Sequence, residues 1–213
     1  MTYPPAPWQL KGYALANLQL IDVAQVRPLI PNNFEIISIL PGKTLSGVYI
    51  SNYSGDSSLE YSELIVIAGI VNYANKFGGW VSHIYVDNSD SVAGGREIWG
   101  LPKEIAEFSW ETGNKYEKQV YITQGSRQLC TLKYNFQGLT VPVWFPFPSF
   151  GRLNEQILLF LGNCQTQIGL IESQLQIPTE SPFSSLELTE KGLSFSCDKL
   201  NLNVDAPEIV GRV

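Results

Sequence analysis

Residues 63–73, ELIVIAGIVNY, run almost without interruption through β-branched and apolar side chains. Such a run is expected as a strand covered on both faces. Similar stretches recur. TLSGVYISNY (44–53) alternates and ends at a turn-like SGDSS, and GWVSHIYVDN (79–88) places Val81, His83 and Tyr85 on one face and Trp80, Ser82, Ile84 and Val86 on the other. Segment 118–136 reads as two strands joined at Gly125-Ser126, and 164–178 and 192–204 add further strand. Helix signals are few. DVAQVRPLIP (22–31) reads as a short helix with Asp22 as N-cap and Val23, Val26 and Ile30 facing inward, although Pro28 opposes it. NEQILLFLGN (154–163) fits helix or strand, and VPVWFPFPSF (141–150) reads as an extended, ordered hydrophobic cover. Many short strands punctuated by Gly and Pro predict an all-β, antiparallel barrel or sandwich, and barrel closure would remove exposed edges.

The 213 residues contain no repeat or linker, so one domain over 1–213 is expected. With 44% hydrophobic and 16% charged residues, the chain can bury a core without disulfides. A formal charge of −6 and scattered basic residues argue against nucleic acid as a partner. No apolar run approaches the roughly 20 residues of a spanning helix, and the N-terminus lacks a secretory pattern. Cys130, Cys164 and Cys197 are too far apart for a CxxC metal site, and three thiols at such spacing fit a reducing compartment. One histidine, His83, excludes a multi-histidine metal centre and leaves little for a catalytic triad. A cytoplasmic protein without metal or organic cofactor is expected.

Two segments carry candidate chemistry. In EYSELIVIAGIV, Glu63 enters the apolar run, either solvated at its mouth or pointing into a cavity as acid, base or partner of a cation. In GGREIWGLPKEIAEF (94–108), Lys103 follows Pro102 among apolar neighbours. It is either a solvated lysine on a surface turn or an amine in an apolar pocket, able to attack a carbonyl. Gly94 to Pro102 is expected as an ordered connection leading to that lysine. Glu104 would hold the ammonium charged if the two approached, and strand alternation turns it away.

The stretch VDNSDSVAGGREIWGLPKEIAEF resembles the signature of the acetoacetate decarboxylase superfamily, on Asp87, Asn88, Ala93, Gly95, Arg96, Glu97, Pro102 and Lys103. LIPNNFEI (29–36) and YSELIVIAGIV (61–71) extend the resemblance over about the first two-thirds of the chain. It implies a cone-shaped β-barrel with few short helices, a buried active site and a homo-oligomer. It also implies Lys103 as Schiff-base nucleophile, Glu63 as its acidic partner, and Arg96, Glu97 and Pro102 in support. A second lysine typical of the decarboxylases is replaced here by Glu104. Ungapped placement puts the family's arginine at Gly12 and its first glutamate at Val48. A plant branch of the superfamily, associated with the carotenoid neoxanthin, is similar through SELIVIAGIV and lacks the lysine.

Two functions follow. One is a lyase that forms an imine between Lys103 and a small oxo acid, for decarboxylation or for aldolase-dehydratase chemistry. The other is a non-catalytic carrier of a lipophilic, isoprenoid- or carotenoid-like ligand, with Trp80, Trp99, Trp110, Trp144 and Phe145 lining a groove. Cavity shape separates them: a small closed pocket at Lys103 suits chemistry, a long apolar tunnel suits carriage.

Overall fold

The structure, a computed structural model, describes residues 3–113, 117–135, 138–190 and 192–212. In chain order its elements begin with β1 (Trp8–Asp22), α1 (Val23–Val26), β2 (Glu35–Ile36), β3 (Lys43–Tyr53), β4 (Tyr61–Tyr73) and β5 (Lys76–Val86). There follow α2 (Ser89–Trp99), β6 (Lys103–Ile105), β7 (Glu107–Thr112), β8 (Glu117–Gln124) and β9 (Arg127–Asn135). The last are β10 (Val141–Leu153), β11 (Gln156–Leu170), β12 (Glu172–Gln176), β13 (Leu193–Val204) and β14 (Glu208–Arg212). The protein is mostly β, as its strand-rich sequence predicts.

Pairing runs β4–β3–β1–β13–β11–β10–β5, and β5 pairs back to β4, so the large sheet closes on itself. A separate sheet, β12–β9–β8–β7, lies beside it. Two apolar clusters occupy opposite faces of the ring strands. One, around Trp8, Tyr53, Tyr61, Trp99 and Phe160, is lined from β1, β3, β4, β5, β11 and β13 and forms the inside. The other joins Val48, Leu64 and Val66 to Ile122, Leu132 and Leu175 of the second sheet. β4 is therefore covered on both faces.

The antiparallel expectation needs amending at the closure. β10 meets β5 in parallel, and only at Ser149↔Gly79 and Phe150↔Trp80. Proline accounts for how short this contact is: Pro142, Pro146 and Pro148 have no N–H to donate, so β10 pairs on one side with β11 until the last of them is passed. β6 is also parallel to β5, setting Lys103 beside Ile84.

Other elements depart from their sequence signals. The connection expected over Gly94–Pro102 is largely helix, because α2 extends to Trp99. Segment 154–163 opens with a turn at Asn154 and Glu155 and continues as strand in β11, paired to β10. The 141–150 stretch is extended as expected, yet Trp144 remains 60% exposed, so it does not act as a cover in the isolated chain. Asp22 precedes α1 without capping it, its carboxylate instead meeting Lys43 Nζ at 3.0 Å. Val26 and Ile30 are buried, and a 3₁₀ turn over Arg27–Leu29 absorbs Pro28. The expected alternation in β5 is broken by a bulge: Val66 pairs with His83 but Ile67 with Val81, which moves Val81 to the inner face with Ile84 and Val86. The 118–136 hairpin forms with Gly125 at φ 60°, while Phe136 lies outside the described residues.

Candidate active site

The DN…GGRE…PK segment works as a device for packing one lysine against a helix. Asp87 accepts a bond from Ser62 N–H (2.7 Å), tying the end of β5 to β4. Asn88 caps α2: its side-chain oxygen accepts from the N–H groups of Asp90 (2.9 Å) and Ser91 (3.1 Å). The helix ends at Gly100, left-handed at φ 63°, whose N–H returns to the carbonyls of Arg96 and Gly95. Leu101 N–H also donates to Gly95 O at 3.1 Å, turning the chain back along the helix. Arg96 Nε then holds the Lys103 carbonyl at 2.7 Å.

The paired glycines are contact positions. A Cβ on Gly95 would lie 2.4 Å from Lys103 Cδ, and one on Gly94 would lie 2.6 Å from the Trp8 ring. The lysine stem therefore runs over the bare backbone of Gly95, and the helix settles on Trp8. Small size, more than conformational freedom, explains both residues.

Lys103 is 3% exposed and Glu63 4%. Lys103 Nζ lies 2.7 Å from Glu63 Oε1, donates to Ser91 Oγ at 2.9 Å, and reaches Tyr61 OH at 3.5 Å. Tyr53 OH donates to the other carboxylate oxygen, Oε2, at 3.2 Å, and Tyr49 OH stands 3.3 Å from Tyr53 OH. The ammonium also faces the Tyr61 ring at 4.8 Å and the Trp8 ring at 5.7 Å from their centroids. Burial pushes the phenols of Tyr49, Tyr53 and Tyr61 well above their usual range, with the nearby Glu63 carboxylate acting in the same direction. All three therefore keep their protons and act as donors at neutral pH. Tyr49, Tyr53, Tyr61 and Ser91 were not among the residues the sequence singled out. The period-2 spacing of Tyr49 and Tyr53 from Ser51, which pairs with Glu63, was the available signal.

Beside this cluster is a cavity of about 80 Å³, bordered by Trp8, Tyr61, Ile84, Trp99 and Phe160 together with the lysine and the glutamate. Glu63 and Lys103 are the charged residues on its wall among the described residues.

Other predicted positions fall elsewhere. Glu97 is exposed and accepts from Tyr3 OH, outside the cluster. Pro102 is exposed at the turn before Lys103. Glu104 is exposed and bonded to Gln124 Nε2 at 2.7 Å, facing away from the amine. Gly12 has no room for a side chain, since a Cβ would lie 2.0 Å from Asn52 O. Val48 belongs to the outer cluster, on the face of β3 opposite Tyr53. His83, with Nδ1 3.0 Å from Ser82 Oγ, packs against Phe183 of that outer layer. Of the five aromatics considered as a groove, Trp99 borders the cavity, whereas Trp144 and Phe145 are exposed. The three cysteines are free and buried, and burial raises Cys130 and Cys164 to about 12 and Cys197 to about 11.

A closed ring of strands around a buried lysine–carboxylate pair defines a distinct class of mostly-β protein. Residues 2–157, more than half of the chain, match the family model described as Acetoacetate decarboxylase (ADC), and the chain belongs to that family. Protein NEOXANTHIN-DEFICIENT 1 of Arabidopsis thaliana is 34% identical over 107 residues, which is 50% of this chain and 38% of that protein. Its counterpart in Oryza sativa subsp. japonica is 23% identical over an alignment of 269 residues, covering 96% of this chain and 89% of the relative. The chain thus matches less than half the length of the Arabidopsis protein. Among solved structures, acetoacetate decarboxylase from Legionella pneumophila superposes with a TM-score of 0.73 at 17% identity, over 100% of this chain and 90% of that one. The enduracididine biosynthesis enzyme MppR complexed with pyruvate gives 0.72 at 11% identity, over 99% and 93%. At these identities the likeness is one of fold.

Proposed function

We propose that this protein is an imine-forming lyase acting on a small oxo acid, with Lys103 as nucleophile and Glu63 as its proton partner. The observation that carries this reading is the 2.7 Å contact between two buried, opposite charges at the wall of a small apolar cavity. Moving one proton across that contact converts ammonium and carboxylate into neutral amine and carboxylic acid, and leaves the net charge of the cavity unchanged. Neither ion need then remain in a medium that solvates it poorly. The amine lone pair attacks the substrate carbonyl to give a carbinolamine, and proton transfers through Glu63 expel water and form the iminium. The iminium withdraws electrons from the adjacent bond, so loss of carbon dioxide or of a proton yields an enamine. Reprotonation and hydrolysis return the free lysine. No cofactor enters this balance.

Cavity size supports a small substrate over a lipophilic cargo. A space of about 80 Å³ beside Lys103 favours an acid of a few carbons over an isoprenoid chain. MppR, similar in fold, binds pyruvate in its solved complex. Gly12, Val48 and Glu104 bring no charge to the cavity, so slow turnover of acetoacetate is part of the reading.

Borohydride trapping followed by intact mass tests it, with pyruvate and acetoacetate as probes, Lys103→Ala as control, and carbon dioxide release followed in parallel. The expected result is a wild-type adduct absent from Lys103→Ala. No adduct with either acid overturns the proposal, and rapid carbon dioxide release from acetoacetate overturns its substrate preference.

A further inference from the structure

Outside the Lys103 cavity lies an open groove of about 410 Å³, bordered by Trp80, Val81, Arg96, Leu101 and Arg152 among others. Val81 and Leu101 also border the Lys103 cavity, so the two spaces adjoin at these side chains. An adjoining depression of about 520 Å³ shares Leu29, Trp80 and Arg152 with the groove and adds Arg27. Three of the five arginines in the chain thus meet on one surface, and no Asp or Glu borders either space among the described residues. On a chain of formal charge −6 this is a concentrated exception.

The three arginines are not equivalent. Arg27 spends both terminal nitrogens on the carbonyls of Ile30, Pro31 and Phe34, so it braces the loop. Arg96 and Arg152 are held through Nε only, on the carbonyls of Lys103 (2.7 Å) and Asn154 (3.2 Å). Among the described residues neither forms an ion pair. Each therefore presents an oriented edge of N–H donors, the arrangement that matches a carboxylate. Trp80 supplies a flat apolar surface to the same groove, fixed by its indole N–H bond to Leu29 O (2.9 Å) and by Phe34 against its ring (4.9 Å).

We infer that this groove captures an organic acid anion, with Arg96 and Arg152 on its carboxylate and Trp80 against its body, and that Leu101 separates the captured acid from Lys103. The inference rests on the imine-forming reading for the fate of the acid, but binding in the groove stands without it. A cationic patch on an anionic protein concentrates anions locally and raises their encounter rate. It also supplies the carboxylate recognition that the Lys103 cavity, with Lys103 and Glu63 already paired, lacks.

Nuclear magnetic resonance titration of Glu63→Leu/Lys103→Met with pyruvate tests binding where no imine can form and no buried charge is stranded. The probe is the Trp80 indole N–H, identified by its loss in Trp80→Phe. A saturable shift is expected, abolished when Arg152→Glu is added to that background and much weaker with inorganic phosphate. No saturable shift, an equal shift in the Arg152→Glu background, or an equal response to phosphate overturns the proposal. The second arm uses the otherwise wild-type protein. Arg152→Glu is expected to slow borohydride trapping at low pyruvate at least tenfold while leaving the yield at saturation intact, and Leu101→Trp to slow it at every concentration. An unchanged rate in Arg152→Glu overturns capture. A wild type that binds pyruvate in the groove but never forms an adduct sinks the imine reading and leaves the groove as a binding site. Arg152→Gln, removing the charge without reversing it, checks that any loss is electrostatic.

Discussion

Lys103 Nζ and Glu63 Oε1 lie 2.7 Å apart with both side chains at most 5% exposed. Removing either partner strands a charge in an apolar setting, at a cost of about 3–5 kcal/mol. Removing both together does not. Glu63→Leu is therefore expected to be strongly destabilised, and Glu63→Leu/Lys103→Met to be at least as stable as the wild type. Urea denaturation of the three proteins checks this. A double variant no more stable than Glu63→Leu would mean that the pair is kept for stability, contrary to a chemical role.

Tyr53 fixes the carboxylate that faces the lysine. Its OH bonds Oε2 at 3.2 Å while Oε1 meets Nζ. A hydrogen bond to a charged group contributes about 1.5–3 kcal/mol, and each 1.36 kcal/mol is about tenfold in rate. Tyr53→Phe is expected to slow adduct formation by roughly ten- to a hundredfold with little change at saturation in pyruvate affinity. Because burial holds the phenol well above its usual range, the wild-type rate between pH 6 and 9 should show no limb belonging to Tyr53, so the pH profiles of wild type and variant should have the same shape.

Gly95→Ala separates helix preference from site geometry. Alanine is favoured over glycine inside a helix by about 1 kcal/mol, so local propensity alone predicts a more stable α2. The new Cβ would stand 2.4 Å from Lys103 Cδ, and the lysine must leave its groove. A folded protein, by circular dichroism, with trapping reduced at least tenfold is the expected outcome. Full trapping would show that the lysine stem has another path to the cavity.

How far the sequence could be read depended on which forces its letters encode. The strands of the ring were legible because apolar runs such as Glu63–Tyr73 report burial directly, and Lys103 and Glu63 stood out as charges where apolar neighbours predict none. The helix α2 was not legible, since Gly94 and Gly95 lower helix propensity and their purpose, room for Trp8 and Lys103, exists only once distant strands arrive. The polar companions of the lysine were hidden for a similar reason. Ser91 comes from that helix, where no local signal marks it, and Tyr53 comes from the next strand over, where its period-2 spacing from Tyr49 gains meaning only once Ser51 is paired with Glu63. Ungapped placement falls on Val48, one residue from the face of β3 that leads to the site.

Glu104 provides a control in the opposite direction. Its carboxylate is exposed and bonded by Gln124, on the other side of β6 from the amine. Glu104→Gln is expected to leave the trapping rate unchanged within a factor of two at neutral pH. A rate increase of tenfold would mean that the adjacent charge does reach the lysine through the strand.

His83 gives the fold a defined acid sensitivity. Burial lowers its pKa below the usual 6.5, with Glu104 opposing the shift only in part. The unfolded chain therefore takes up a proton at a pH where the folded one resists it. In that window the unfolded state binds more protons, so stability falls as pH falls. The stabilising contribution of neutral His83 is complete above about 6.5 and is lost as pH drops through the lower folded value. The imidazole meets Ser82 Oγ at 3.0 Å and the Phe183 ring, and among the described residues it forms no ion pair that would favour the charged form. Replacing it by glutamine keeps a hydrogen-bonding side chain without a titration. Urea midpoints of wild type and His83→Gln, measured at pH 7.5 and pH 5.5, are expected to show a larger acid loss in the wild type. Equal losses in the two proteins would assign the acid sensitivity to other groups and leave His83 as packing alone.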